Sequence, residues 1–195
     1  MTRRRSLILV AAAAVLVTAL AGCTNTMGSA TNGDDPGMMG DNSSTANEFS
    51  SVDTMFAQMM IPHHEQAVEM SELAKTRSNN PEVLALAQQI HDAQVPEIEL
   101  MQSWLGGEGA VDMMDHDMGM GGMLDEADMA TLESATGAQF DKLFLEGMIA
   151  HHEGALEMTD LILDSSNEDV KTLGQNIVES QTAEIATMKA MLEAM

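Results

Sequence analysis

The chain has 195 residues, enough for one domain with a substantial core. Its 8 basic and 31 acidic side chains leave a formal net charge of −23, which excludes nucleic acid as a partner because phosphate binding needs a basic surface. With 20 Met and 1 Cys, it has abundant thioether sulfur but can form no internal disulfide or thiolate cluster, so a soft metal would meet Met and His.

The chain opens with Arg3, Arg4 and Arg5, followed by an apolar run from Leu7 to Ala19 and then Leu20-Ala21-Gly22-Cys23. This order is that of an export signal, and its ending resembles the lipobox of bacterial lipoproteins. Residues 1–22 are therefore expected to be a signal peptide. Cys23 is expected to carry lipid and anchor the protein to the cell membrane on its extracytoplasmic side. Residues 23–48, rich in Gly, Ser, Thr, Asn and Asp, read as a flexible tether.

From residue 49 to residue 195 the pattern is helical and duplicated. "MIPHHEQAVEM" (Met60 to Met70) returns as "MIAHHEGALEM" (Met148 to Met158). Phe56 aligns with Phe144 and Asp53 with Asp141. Nine of the fifteen positions from Phe56 to Met70 are identical. Further on, Val83, Leu86, Ile90, Gln94, Glu97, Ile98 and Met101 match Val170, Leu173, Ile177, Gln181, Glu184, Ile185 and Met188. Each copy reads as a helical hairpin, at about 51–105 and about 138–193. The first has helices of about Ser51–Thr76 and Pro81–Leu105, and the second has helices of about Ala138–Leu163 and Glu168–Glu193. Asn80 and Asn167 are candidate N-caps, Pro81 suits a first helical turn, and Pro96 is expected to interrupt and kink its helix. Two hairpins predict an all-α four-helix bundle.

At about 100° per residue, Phe56, Met60, His63, His64, Ala67, Met70 and Ala74 share one face of the first helix, while Glu65, Glu69 and Glu72 face away. The "HHE" triplet is therefore not one local site. Folding the hairpin about its turn brings His63 and His64 level with Gln94, with Glu97 adjacent. In the second hairpin, His151 and His152 come level with Thr182, with Gln181 and Glu184 adjacent. Buried polar groups must be paired or ligated. Two readings of these layers fit the residues. One is a His–Gln–Glu network that fixes helix register. The other is a metal site in which Gln94, Glu97, Gln181 and Glu184 support the ligands. The second helices lack the Glu-x-x-His pairs of ferritin-like di-iron sites, which argues against oxygen chemistry.

Between the hairpins, residues 106–123 form a Gly- and Met-rich connector. Its "MMDHDMGMGGM" contains Met113, Met114, His116, Met118, Met120 and Met123. Closely spaced thioethers suit Cu(I), which accepts few soft ligands in loose geometry, and His116 with its flanking Asp residues could add affinity for Cu(II). "LDEADMATLESA" reads as a short helix ended by Gly137.

The paired "M-I-x-H-H-E-x-A" and "Q-x-x-E-I-x-x-M" segments resemble a family of secreted bacterial domains of unknown function that includes the copper-binding protein CopM. The likeness covers roughly residues 49–195 and rests on two motifs that each occur twice in order. The resemblance implies a ferritin-like bundle outside the cytoplasm, with copper binding and tolerance as its function. By motif it carries over to Met60, His63, His64, Met70 and Met101, and to Met148, His151, His152, Met158 and Met188.

The expectation is therefore a lipid-anchored copper protein that favours Cu(I), performs no turnover and requires no cofactor to fold. Its expected partners are a metal ion and, through Cys23, the membrane; no protein partner is specified. The rival readings are a metal-dependent oxidase and a structural module that binds a protein partner.

Overall fold

The computed structural model describes residues 49–106 and 121–195. Five helices make up most of these: α1 (Ser51–Arg77), α2 (Pro81–Trp104), α3 (Glu126–Ser134), α4 (Ala138–Thr159) and α5 (Glu168–Glu193). No strand occurs among the described residues. Cys23 and the connector residues Met113, Met114, His116, Met118 and Met120 lie outside them.

Local chemistry sets where the helices start. The Ser50 hydroxyl accepts from the Asp53 N–H at 3.1 Å, and the Asp53 carboxylate accepts from the Ser50 N–H at 2.8 Å, closing a capping box on α1. Asn80 caps α2 through the Glu82 N–H, and Asn167 caps α5 through the N–H groups of Asp169 and Val170. At the start of α4 stands Gly137, with φ of 59°, in the left-handed region that favours glycine. Its N–H donates to the Arg77 carbonyl at 2.8 Å, and the Ser78 hydroxyl donates to Asp141, so the start of α4 is fastened to the end of α1.

Three local expectations change. Gly137 opens α4 rather than ending α3, which stops at Ser134. α2 runs through Pro96 without ending there. The proline forfeits one backbone hydrogen bond, while burial of Gln94, Ile98 and Met101 on either side holds the helix to the core. α4 stops at Thr159, short of Leu163. The chain then tightens, with the Leu161 and Ile162 N–H groups bonding the Met158 and Thr159 carbonyls. This turn buries Ile162 against Gly174 of α5, where an added Cβ would stand 3.1 Å from the Ile162 Cδ1.

α1 packs along both α2 and α4, α4 packs along α5, and α3 lies against α1 and α4. Two apolar clusters fill the interior. One joins Met70, Ala74, Val83, Leu86, Ile90, Phe140, Phe144, Met148 and Met188, with Leu132 of α3. The other joins Phe56, Met60, Ile61, Ile98, Met101, Met158, Ile162, Val170 and Ile177. The first cluster takes the C-terminal parts of α1 and α5 with the N-terminal parts of α2 and α4, and the second takes the opposite parts. α1 and α5 therefore run one way, and α2 and α4 the other. Each fully buried large side chain contributes roughly 1.5–3 kcal/mol. Along each helix, the polar residues His63, His64, Gln94, Glu97, His151, His152, Gln181 and Glu184 fall between the positions that feed the two clusters.

Candidate metal centre

α1 carries His63 and His64, and α4 carries His151 and His152; all four side chains are fully buried. The rings of His63 and His151 face each other with centroids 3.7 Å apart, and His151 and His152 are 6.3 Å apart. The α1–α4 contact thus brings the two repeated motifs into one layer. Neighbouring helices supply the carboxylates. His64 Nε2 lies 2.9 Å from Glu97 Oε2 on α2, and His152 Nε2 lies 2.8 Å from Glu184 Oε2 on α5.

His63 bonds a partner that the hairpin pattern does not predict: the Gly121 carbonyl, 3.1 Å from its Nε2. Residues 121–124 form a strap over the layer. Gln66 of α1 fixes it with two bonds, donating to the Leu124 carbonyl at 2.9 Å and accepting from the Leu124 N–H at 2.8 Å. Glycines seat it on α4. A Cβ at Gly154 would lie 1.7 Å from the Gly121 oxygen, and one at Gly122 (φ 82°) would lie 2.0 Å from the Ala150 oxygen. The sequence held one signal of this. Within the repeat, Gly154 stands where the first copy has Gln66.

These partners set the imidazole tautomers. A carbonyl or carboxylate oxygen only accepts, so His63, His64 and His152 each donate from Nε2. Their Nδ1 atoms meet no hydrogen-bond partner among the described residues. Neither nitrogen of His151 has one. Burial pushes His63 down to about 4, with His64 and His152 adding to the effect, although the Gly121 carbonyl opposes it. Burial, followed by the charges of His63, His152 and His64, holds His151 well below the ordinary histidine range. Both are neutral at pH 7 and chemically fit to ligate.

Thioethers flank the layer on both sides. Met70, Met148 and Met188 belong to one apolar cluster, and Met60, Met101 and Met158 to the other. Met123 lies on the strap and is partly exposed. Gln94 and Gln181 are buried, but neither atom of the Gln94 amide nor the Gln181 Oε1 has a partner among the described residues, so the expected His–Gln bonds do not form. Glu184 also accepts from Gln89 at 3.0 Å, a contact between α2 and α5 that the repeat pattern did not reveal. His91, which has no counterpart in the second copy, lies apart between Glu72 and Asp92. Among the described residues, no three His, Cys, Asp or Glu side chains stand in metal-holding geometry.

A helical bundle with a buried layer rich in imidazole, bracketed by thioethers, defines a class of candidate metal-binding domains. Residues 53–192 match the family described as Domain of unknown function (DUF305), and the chain belongs to it. Among solved structures, it is similar to a putative secreted DUF305 protein from Streptomyces coelicolor, with 34% identity over 74% of this chain and 92% of that one and a TM-score of 0.68. A DUF305 fragment from Deinococcus radiodurans is 32% identical over 75% of this chain and 98% of that one, with a TM-score of 0.69. CopM in its Cu(II)-bound form is 31% identical over 73% and 96%, with a TM-score of 0.64. CopM is also known in Cu(I)-bound and Ag-bound forms. No curated protein matches the chain.

Proposed function

We propose that this protein is an extracytoplasmic copper-binding lipoprotein, tethered by lipid on Cys23, that sequesters copper chiefly as Cu(I). One observation carries the reading. Three buried imidazoles each donate Nε2–H to an oxygen and leave an Nδ1 that meets no hydrogen-bond partner among the described residues. Metal-bound histidines are commonly held this way, since an oxygen partner fixes the tautomer and raises ligand basicity. Unpartnered polar atoms in a core cost free energy, and a bound ion would offset that cost. In this reading His63, His64, His151 and His152 supply nitrogen, and Met60, Met70, Met101, Met148, Met158 and Met188 supply soft sulfur in a ferritin-like four-helix bundle. The connector Met residues form a first capture site. Neutral nitrogen and thioether donors favour a soft monovalent ion, with Cu(II) a weaker ligand. The copper- and silver-bound forms of CopM support the assignment. No turnover is required, and no described helix is long and apolar enough to cross a membrane.

A second reading has its own support. The 3.7 Å contact between the His63 and His151 rings is compatible with a packed layer in a module that binds a protein partner instead of metal. An anaerobic Cu(I) titration of residues 24–195 against a chromophoric chelator separates the two. Competition for Cu(I) that is lost when the four layer histidines become Ala, or when residues 113–123 are deleted, supports the copper reading. Failure of the intact domain to compete rejects it.

A further inference from the structure

The layer histidines are sealed from solvent, so an ion that reaches them must cross one of the walls. Three walls close the layer, and they differ in how many contacts hold them. The strap side is held by the Gly121 carbonyl on His63, by two Gln66 bonds and by glycine backbone seated on α4. On the Glu184 side, the carboxylate is only 4% exposed and both oxygens are engaged, one by His152 and one by Gln89. Glu97 differs: its side chain is 18% exposed, and among the described residues a single bond, from His64 to Oε2, holds it. In the second copy the counterpart of Gln89 is Asn176, which is exposed, one methylene shorter and makes no bond to Glu97.

We infer that Glu97 is the entry residue through which the cation reaches the histidine layer. This rests on the copper reading above. The inference joins three properties found together, among the described residues, only at this wall. The carboxylate can be reached from water. One oxygen has no partner among the described residues and can meet a cation while the other still holds His64. Displacing the side chain breaks only one hydrogen bond. An anionic group at the mouth of a buried site raises the local cation concentration and replaces part of the hydration shell before the ion moves inward. Glu184, equivalent in the repeat, is a positioning residue for His152 on the closed side.

The test is the anaerobic rate of Cu(I) uptake from a weak chromophoric chelator, measured by stopped flow on the domain whose connector Met113, Met114, Met118, Met120 and Met123 are changed to Leu, so that the histidine layer and not the connector sets the rate. Glu97→Gln keeps an oxygen for His64 and removes the charge. It is expected to slow uptake by about tenfold or more and to weaken the salt dependence of the rate. Glu184→Gln controls for loss of support behind a ligand: it should lower equilibrium affinity and leave the uptake rate near wild type. An unslowed Glu97→Gln, or equal slowing by both variants, overturns the assignment. If Gln66→Ala instead accelerates uptake while Glu97→Gln has no effect, the ion enters under the strap. A wild-type domain that takes up no Cu(I) removes the copper reading itself, a result distinct from normal uptake with an unaffected Glu97 variant.

Discussion

The two hairpins share the histidines, glutamates and methionines of the layer, and they differ where the layer meets the rest of the chain. In the first, Gln66 grips the strap and Glu97 sits at a partly open wall. In the second, Gly154 leaves room for the strap and Glu184 is locked by Gln89. Repetition thus built the layer, and single departures from repetition decide which sides are closed.

The most severe way to break this contrast is to make the second hairpin like the first. Gly154→Gln puts a side chain where the Gly121 carbonyl now lies and is expected to cost about 3 kcal/mol through displaced backbone, read as a lower urea midpoint. The reciprocal Gln66→Gly should cost less, because it removes two bonds without a clash.

Acid gives an effect of similar size. His63 has a folded value of about 4 against an ordinary 6.5, so the unfolded chain binds the proton more readily between these limits. Its stabilising contribution is complete above pH 6.5 and is lost as pH falls toward about 4, by about 3 kcal/mol. His151 acts in the same direction. Urea unfolding across this window should show the decline, and joint replacement of His63 and His151 by Gln should flatten it. An unchanged slope would assign the decline to other groups.

The carboxylate walls give a smaller difference. His152→Ala leaves Glu184 buried with Gln89 alone, whereas His64→Ala leaves a Glu97 that can turn to water. The first is expected to be the more destabilising by about 2 kcal/mol in thermal or urea unfolding. Equal losses would mean that the two walls are energetically alike. The smallest effect sharpens the same point. Gln89→Ala should cost about 1 kcal/mol, and Asn176→Ala should fall within about 0.5 kcal/mol of wild type, since only Gln89 reaches a carboxylate.

Much of this architecture is legible in the sequence because helices write their buried face periodically. The stripe from Phe56 to Ala74, the caps at Asn80 and Asn167, and the pairing of each His-His with a Glu all follow from period and from the level of each residue in its hairpin. The strap does not. Residues 121–124 have no period, and a backbone carbonyl that meets His63 leaves no mark on residue identity. The end of α4 was hidden because Leu161, Ile162 and Leu163 continue its apolar pattern, although the chain turns to seat Ile162. α2 continues through Pro96 because tertiary burial on both sides outweighs the missing bond. The unbonded Gln94 amide and Gln181 Oε1 were equally hidden, since the sequence places these residues level with the histidines without fixing their orientation.

The division of each apolar cluster between both hairpins has a consequence for what a single polypeptide permits. A lone hairpin would expose half of each cluster, so the smallest unit that closes them is a pair. In a symmetric homodimer every substitution appears twice, and a strap crossing one side would be met by its own copy on the other. Joining the pair in one polypeptide lifts that constraint. Position 154 can carry Gly where position 66 carries Gln, and one face can be sealed while its twin stays accessible, without disturbing the pseudo-twofold interior.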